Sequence, residues 1–466
     1  MKPVLPVSTL PPLSSVGLLT DLYELTMAQS YFQDARNEEA TFEMFVREMP
    51  PKRNYLVFAG LANAVSFLSS VRFGKDDLKY LASLGIFEPP FLKYLAGFRF
   101  TGSVWAMPEG TLFFPGEPIM RVTAPRIEAQ IVETFLLNAV NFQVLAATKA
   151  ARIVASACGR SVVDFSPRRA HGADASLKVA RSSYIAGFAG TSNMLAGKQF
   201  GIPVYGTVAH SFVMSHSNER AAFESLARTS PKGAVFLLDT YDVMNALEEA
   251  MRVARKYAPS GFRLNGVRLD SGDIGVQSRK VRARLDREGF KSARIFASGD
   301  LDEYAITRLM ERRAPVDSFG VGTALGTSQD SPALGINYKL VSDGTGAGKR
   351  LRMKLATGKM TWPGIKQVWR VKSANGNFVR DVIALAGERP PARRVESLLR
   401  KVMEGGRLSA ALPPLEVIRS RCLIQLSRLP ARYKALTVSG SFPVSISGGL
   451  KAMAKSTERG IRKEMA

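Results

Sequence analysis

The chain carries two cysteines, three histidines and only 40 acidic residues against 64 basic ones. Cys158 and Cys422 lie far apart. They supply neither a disulfide framework nor a metal-ligand set, and they suit a reducing compartment. No apolar run is expected to reach transmembrane length. The amino-terminal stretch Met1-Lys2-Pro3-Val4-Leu5-Pro6 has one charge and is broken by proline. It lacks the continuous apolar core of a signal peptide, so a cytoplasmic protein with no membrane partner is expected. No internal repeat is visible. The shortage of acid leaves a formal net charge of +24. That excess can mean a nucleic-acid or membrane-surface partner. It can equally mean arginine-rich solvated helix faces and small anionic substrates. The basic residues are spread along the chain, and no aromatic-interleaved basic motif of a nucleic-acid module occurs, which favours the second reading.

What is present is an ordinary globular composition, 466 residues with 46% hydrophobic and 22% charged, enough for two or three domains with sizeable cores. Residues 1–16 are rich in Pro and Ser and are expected to be loose. A helix capped by Thr20 or Asp21 follows, then a strand over Ala40–Val46 and helices over Leu61–Leu68 and Lys75–Leu84. From Phe98 to Val122, short β-rich runs are punctuated by Pro and Gly, which indicates hairpins. Residues 1–125 are therefore read as an N-terminal α+β flanking domain. A long helical pattern, Ile127–Ala157, opens the next domain, residues 126–334. There, strands and helices alternate about six times, the rhythm of a parallel sheet or a (β/α) barrel. Six is short of eight, so an irregular or incomplete barrel is expected. Residues 335–386 read as a β-rich return to the flanking domain, and 387–466 as a basic, helical C-terminal extension.

The predicted strands of the middle domain all end in polar or glycine-rich turns: Asp164-Phe165-Ser166-Pro167-Arg168-Arg169, Gly206-Thr207, Leu238-Asp239, Arg268-Leu269-Asp270-Ser271-Gly272-Asp273, Ser298-Gly299-Asp300 and Gly320-Val321-Gly322-Thr323. The carboxyl ends of parallel strands are where such folds place their chemistry. Several carboxylates, several arginines and two Gly turns suit a bulky anionic ligand with a cation. Backbone N–H groups at Gly299-Asp300 and Gly322-Thr323 precede predicted helices, where a phosphate is favoured. Asp270 and Asp273 can bind ribose hydroxyls or hold a metal through water, and Asp270 or Ser271 can equally cap a helix. Arg268 can pair with a carboxylate or phosphate through two N–H groups. His210 and His216 follow the Gly206-Thr207 turn.

Five segments in register resemble the nicotinate phosphoribosyltransferase family, of the type II phosphoribosyltransferases. They are Thr20-Asp21-Leu22-Tyr23-Glu24-Leu25-Thr26-Met27, the run Asp164 to Gly172, Gly206-Thr207-Val208-Ala209-His210-Ser211, Val267 to Asp273, and Gly320-Val321-Gly322-Thr323. The resemblance implies an irregular α/β barrel, a discontinuous flanking domain, and a homodimer with active sites between subunits. It implies transfer of a phosphoribosyl group from 5-phosphoribosyl 1-diphosphate to nicotinate, with coupled ATP hydrolysis and Mg²⁺. By the same resemblance His210 is phosphorylated by ATP, and Asp270 serves the ribose or the metal-linked diphosphate. Tyr23, supplied by the other subunit, and Phe165 sandwich the pyridine ring, although core packing is the ordinary role of an aromatic. Thr207 and Arg268 contact nicotinate, with Arg168 or Arg169 as further partners for its carboxylate or for phosphates. Gly322 and Thr323 match the 5-phosphate site. His171 and His216 are read as structural or rim residues. The related group that uses nicotinamide carries an Asp after a Gly-Thr pair. Here the matching stretch is Gly190-Thr191-Ser192-Asn193, which favours the acid as substrate.

Overall fold

In the computed structural model the described residues are 13–230, 232–356, 359–437 and 440–465. Most of the Pro- and Ser-rich start therefore lies outside them. Contacts divide the chain into two units: one runs to Leu145 and resumes at Ala333, the other is Ala146–Pro332.

The inserted unit is built on six parallel strands in the order Gly190–Thr191, Ser161–Asp164, Ser318–Val321, Arg294–Ala297, Leu264–Leu269, Ala234–Leu237. Helices alternate with them, and the strands read as largely buried apolar runs rather than alternating ones. Phe236, Leu237, Val267, Leu269, Ile295, Ala297, Phe319 and Val321 are all buried. A parallel bridge between Thr191 and Val204 extends one edge, and the ladder does not close. The fold is an incomplete (β/α) barrel. Two local expectations differ. Pro203–Tyr205 contributes only that single bridge, and Gly190–Thr191 takes the strand position. Two residues with little hydrophobic content give no periodicity from which a strand could be read.

The other unit is antiparallel except where Phe378–Leu385 pairs in parallel with Val444–Ile446. A seven-stranded sheet runs Arg350–Leu351, Ile336–Asp343, Glu39–Val46, Pro118–Pro125, Ser103–Ala106, Arg400–Glu404, Arg407–Leu408. A four-stranded sheet joins Val395–Ser397, Lys366–Lys372, Phe378–Leu385 and Val444–Ile446. Helices Leu61–Ser70, Lys75–Ser83 and Pro89–Ala96 complete it. Its core gathers Phe42, Met44, Val104, Ile119, Val122, Phe67 and Phe91.

The long helical pattern proves to be two helices, Arg126–Ile131 and Glu133–Ser156. Leu136, Val140, Val144 and Leu145 belong to the flanking core, which carries that unit past the expected boundary at 125. The stretch Arg126–Ser156 is also long and apolar enough by composition to cross a membrane, contrary to expectation, but 67% of its most apolar window is buried within the protein. Nor is 387–466 a helical extension. It holds four short strands of the two flanking sheets as well as helices Leu415–Arg428 and Gly448–Met465. Strands of two to five residues between prolines and basic side chains leave too short an alternation to read.

Candidate active site

The strand ends of the inserted unit meet around two adjoining concavities. The larger, about 450 Å³, is lined by Phe165, Arg168, Ser192, Thr207, His210 and Arg268 among others. The smaller, about 230 Å³, is lined by Arg169, Ser298, Gly299, Asp300, Gly322 and Thr323. Phe165, Arg168, Arg268 and Asp270 border both.

Arg268 is the hub. It leaves the strand Leu264–Leu269 beside Asp270, and its guanidinium reaches two adjacent strand ends and the Gly206-Thr207 turn. Nε donates to Ser298 Oγ at 2.7 Å, Nη1 to Thr207 Oγ1 at 3.0 Å, and Nη2 to Asp270 Oδ1 at 2.6 Å. Ser298 Oγ donates to the same Asp270 oxygen at 2.5 Å. Burial alone would push the Asp270 carboxyl up. Hydrogen bonds from Ser298 and Arg268, with the charges of Arg268 and His210, outweigh it and hold the group below the ordinary aspartate value. Asp270 is therefore a carboxylate at neutral pH.

His210 opens the short helix His210–Met214. Its Nδ1 lies 3.1 Å from Thr240 Oγ1 and its Nε2 3.7 Å from Asp270 Oδ2. If Nδ1 carries the proton toward Thr240, Nε2 keeps its lone pair on the side of the cavity and Asp270. Behind them, Asp239 Oδ2 accepts from the Asp270 backbone N–H at 3.1 Å and from Ser271 Oγ at 2.6 Å. Its Oδ1 is buried without a hydrogen-bond partner. Asp239 ends one predicted strand, but the sequence alone gives neither it nor Thr240 a role. The signal was there: an Asp-Thr pair at the carboxyl end of a buried strand.

The helix-capping alternative for Asp270 is settled by its neighbour. Asp273 caps helix Ile274–Arg287, its side chain accepting from Val276 N. That leaves Asp270 for the cavity. The two turns expected to face a phosphate are not both simple helix starts. Gly299 and Asp300 both take positive φ, +87° and +42°, and the next helix begins only at Glu303, capped by Asp302. A Cβ on Gly299 would lie 1.7 Å from the Asp270 carbonyl oxygen, so this turn admits only glycine. Thr323 opens a helix of just four residues, Thr323–Gly326, so exposed N–H groups rather than a macrodipole are what it offers a phosphate.

Phe165 lies over Gly320, where a Cβ would stand 2.4 Å from the ring. The Arg268 guanidinium is 5.5 Å from the ring centroid. Beneath, Asp164 is fully buried and accepts from Ser166 N at 2.8 Å and Thr191 Oγ1 at 2.7 Å. Burial raises its pKa against those hydrogen bonds. The bond to Thr191 ties two strand ends together and places Ser192 on the cavity wall. His171 and His216 do not line either concavity; His216 Nδ1 lies 2.8 Å from the Phe212 carbonyl.

Tyr23 belongs to the other unit, on helix Leu22–Gln33, and is 50% exposed. Asp21 precedes that helix without capping it; its carboxylate accepts instead from Thr134 Oγ1 at 2.8 Å. The same unit has a concavity of about 550 Å³ bordered by Arg47, Lys339, Lys354 and Lys359 with Glu48. The scatter of basic residues along the sequence hid this cluster.

Comparison with known proteins agrees with the motifs. Residues 18–141 match the nicotinate phosphoribosyltransferase (NAPRTase) N-terminal domain, 160–342 the nicotinate phosphoribosyltransferase (NAPRTase) family, and 391–454 the nicotinate phosphoribosyltransferase C-terminal domain. A nicotinate phosphoribosyltransferase of Mycobacterium tuberculosis is 48% identical over 434 residues, 92% of this chain and 91% of that protein. One of Bacillus subtilis is 40% identical over 460 residues, 93% of each. The crystal structure of human nicotinic acid phosphoribosyltransferase superposes with a TM-score of 0.85 at 32% identity, covering 94% of this chain and 99% of that one. The chain belongs to the nicotinate phosphoribosyltransferase family.

Proposed function

We propose that this protein joins nicotinate to 5-phosphoribosyl 1-diphosphate, releasing nicotinate mononucleotide and diphosphate for NAD biosynthesis. The observation that carries this reading is the Arg268 fork, which binds Thr207, Ser298 and Asp270 at once. It sets a fixed cation and a fixed carboxylate on the wall shared by the two concavities.

The pyridine ring fits the larger concavity, against Phe165, with its carboxylate toward Arg268 and Arg168. Ser192 stands on this wall, where a carboxylate would repel the nicotinate anion. The 5-phosphate fits the turns Gly299-Asp300 and Gly322-Thr323. The sugar carbon then lies near Asp270. As the bond to diphosphate breaks, positive charge grows on the sugar, and an ionised Asp270 stabilises it. The ring nitrogen completes the new C–N bond.

Mg²⁺ suits the site. Asp239 has a buried, unpartnered oxygen beside Asp270, and Mg²⁺ takes one or two carboxylates together with substrate phosphates. Among the described residues no group of three His, Cys, Asp or Glu side chains forms a protein-only metal cage. When bound, the ion would neutralise charge on the leaving diphosphate.

ATP enters as co-substrate. His210 Nε2 attacks the terminal phosphorus, the bond to ADP breaks, and water later releases phosphate from the histidine. Asp270 at 3.7 Å steadies the charged imidazole. A homodimer is supported by the apolar side chains exposed on the inserted unit: Met194 at 71%, Tyr241 at 68% and Met214 at 62%. In such a dimer the partner's flanking unit contributes Tyr23 and the lysine-lined concavity.

The test is turnover with nicotinate and with nicotinamide, each with and without γ-labelled ATP. Nicotinate is expected to react and nicotinamide to lag, with an acid-labile label that His210→Ala abolishes. Comparable rates with both bases would overturn the substrate assignment. Label persisting in the variant would remove His210 from the ATP step.

A further inference from the structure

Helix Leu22–Gln33 carries two neighbours with opposite fates. Tyr23 is half exposed, whereas Glu24 is fully buried. Glu24 Oε2 accepts from Gln130 Nε2 at 2.5 Å, and that same amide nitrogen donates to Glu133 Oε2 at 3.1 Å. One donor group thus serves two buried carboxylates. The second Glu24 oxygen, Oε1, is buried with no hydrogen-bond partner. The Tyr23 phenol lies against this carboxylate, near enough to hold its pKa down, yet outside bonding geometry.

The groups around Glu24 are few. Asp21 stands at the start of the same helix, engaged by Thr134. Glu133 comes from helix Glu133–Ser156. Tyr338 and Lys339 come from strand Ile336–Asp343: the Tyr338 phenol donates to the Ala129 carbonyl at 2.9 Å, and the Lys339 charge acts on Glu133. Burial first, and then the negative charges of Glu133 and Asp21, push the Glu24 carboxyl up to about 7 against the hydrogen bond from Gln130 and the nearby Tyr23 hydroxyl. An orphaned buried acceptor beside a phenol is an incomplete hydrogen bond, and ionisation of the acceptor is what completes it.

We propose that Glu24 is a positioning residue for Tyr23: ionised, it takes the Tyr23 hydroxyl on its free oxygen and fixes the ring, and protonated, it lets the ring go. The inference rests on the reading that Tyr23 stacks on nicotinate. It deepens that reading by making base affinity depend on a proton held outside the reacting groups. The proton lost from Glu24 passes to solvent, and no other bond changes.

The sign follows from the raised pKa. Above about pH 7 Glu24 is charged, the ring is held and the KM for nicotinate is low. Below it the KM rises by about fivefold, the worth of one hydrogen bond. Folding stability runs the other way: ionising a buried acid costs the native state, so the benefit present at low pH is lost as pH rises through 7.

The experiment compares the wild type with Glu24→Gln, Tyr23→Phe and Tyr23→Ala, measuring nicotinate KM, kcat and melting temperature between pH 6 and 8. Glu24→Gln and Tyr23→Phe are each expected to lose the fivefold KM component seen in the wild type, while kcat follows one common pH course. Tyr23→Phe, at an exposed position, carries the same expectation should Glu24→Gln fold poorly. If Glu24→Gln flattens the melting profile but keeps the wild-type KM profile, the role is structural and the proposal falls. If Tyr23→Ala leaves KM unchanged, it is the reading of Tyr23 as a substrate contact that falls.

Discussion

Arg370 and Arg268 each hold an aspartate, and only the Arg268 pair borders the candidate site. In the flanking unit, Arg370 donates to both oxygens of Asp381, at 3.0 and 2.6 Å, to Gln425 Oε1 at 2.9 Å and to the Leu112 carbonyl at 2.8 Å. Phe378 and Phe114 cover it, with ring centroids 4.5 and 5.6 Å away. Both members of the pair are 0% exposed. Glu117 completes the cluster; burial and then the nearby Asp381 push it well above the ordinary carboxyl range. At the barrel mouth, Arg268 and Asp270 remain 12% and 24% exposed, and only one Asp270 oxygen faces the guanidinium. The other faces His210. A charge pair whose every direction is filled is built for structure, whereas the same pair with one side left open is available to a ligand.

That contrast can be broken in three ways. The largest effect is expected from Arg370→Ala, which strands Asp381 in the core. It should cost on the order of 3–5 kcal/mol of stability, read by chemical denaturation. Asp270→Asn should leave the melting temperature nearly unchanged while kcat falls by about 10²–10³. A drop in stability matching that of Arg370→Ala would make Asp270 a structural residue. The smallest effect concerns the ring that lines both concavities. Gly320→Ala forces a methyl to within contact of Phe165, and the nicotinate KM should rise by roughly 2–10-fold. An unchanged KM would mean that Phe165 is packing and not a substrate contact.

The legibility of the sequence followed the length and regularity of each element. The strands at Ser161–Asp164, Ala234–Leu237, Leu264–Leu269, Arg294–Ala297 and Ser318–Val321 are apolar runs closed by turn residues, and they were readable because burial on both faces demands such runs. Gly190–Thr191 was not readable, since a two-residue strand has no period. The same holds for Val395–Ser397 and Arg407–Leu408. At the site, Arg268, Asp270 and His210 stood out by residue type beside turns. Asp239 and Ser298 also ended predicted strands, but their role, like that of Thr240, lies in hydrogen bonds made across 28 to 32 positions of sequence.

The sequence by itself determined the succession of strands and helices, the excess of cations and the polar chemistry at each strand end, since these follow from local pattern and residue type. Only the tertiary structure decided which polar groups remain open. Asp273 takes the helix cap and frees Asp270. Arg370 is enclosed, whereas Arg268 faces a cavity. Whether a charged side chain is satisfied or available depends on partners brought in from distant strands, and that is fixed by packing rather than by the identity of its neighbours in the chain.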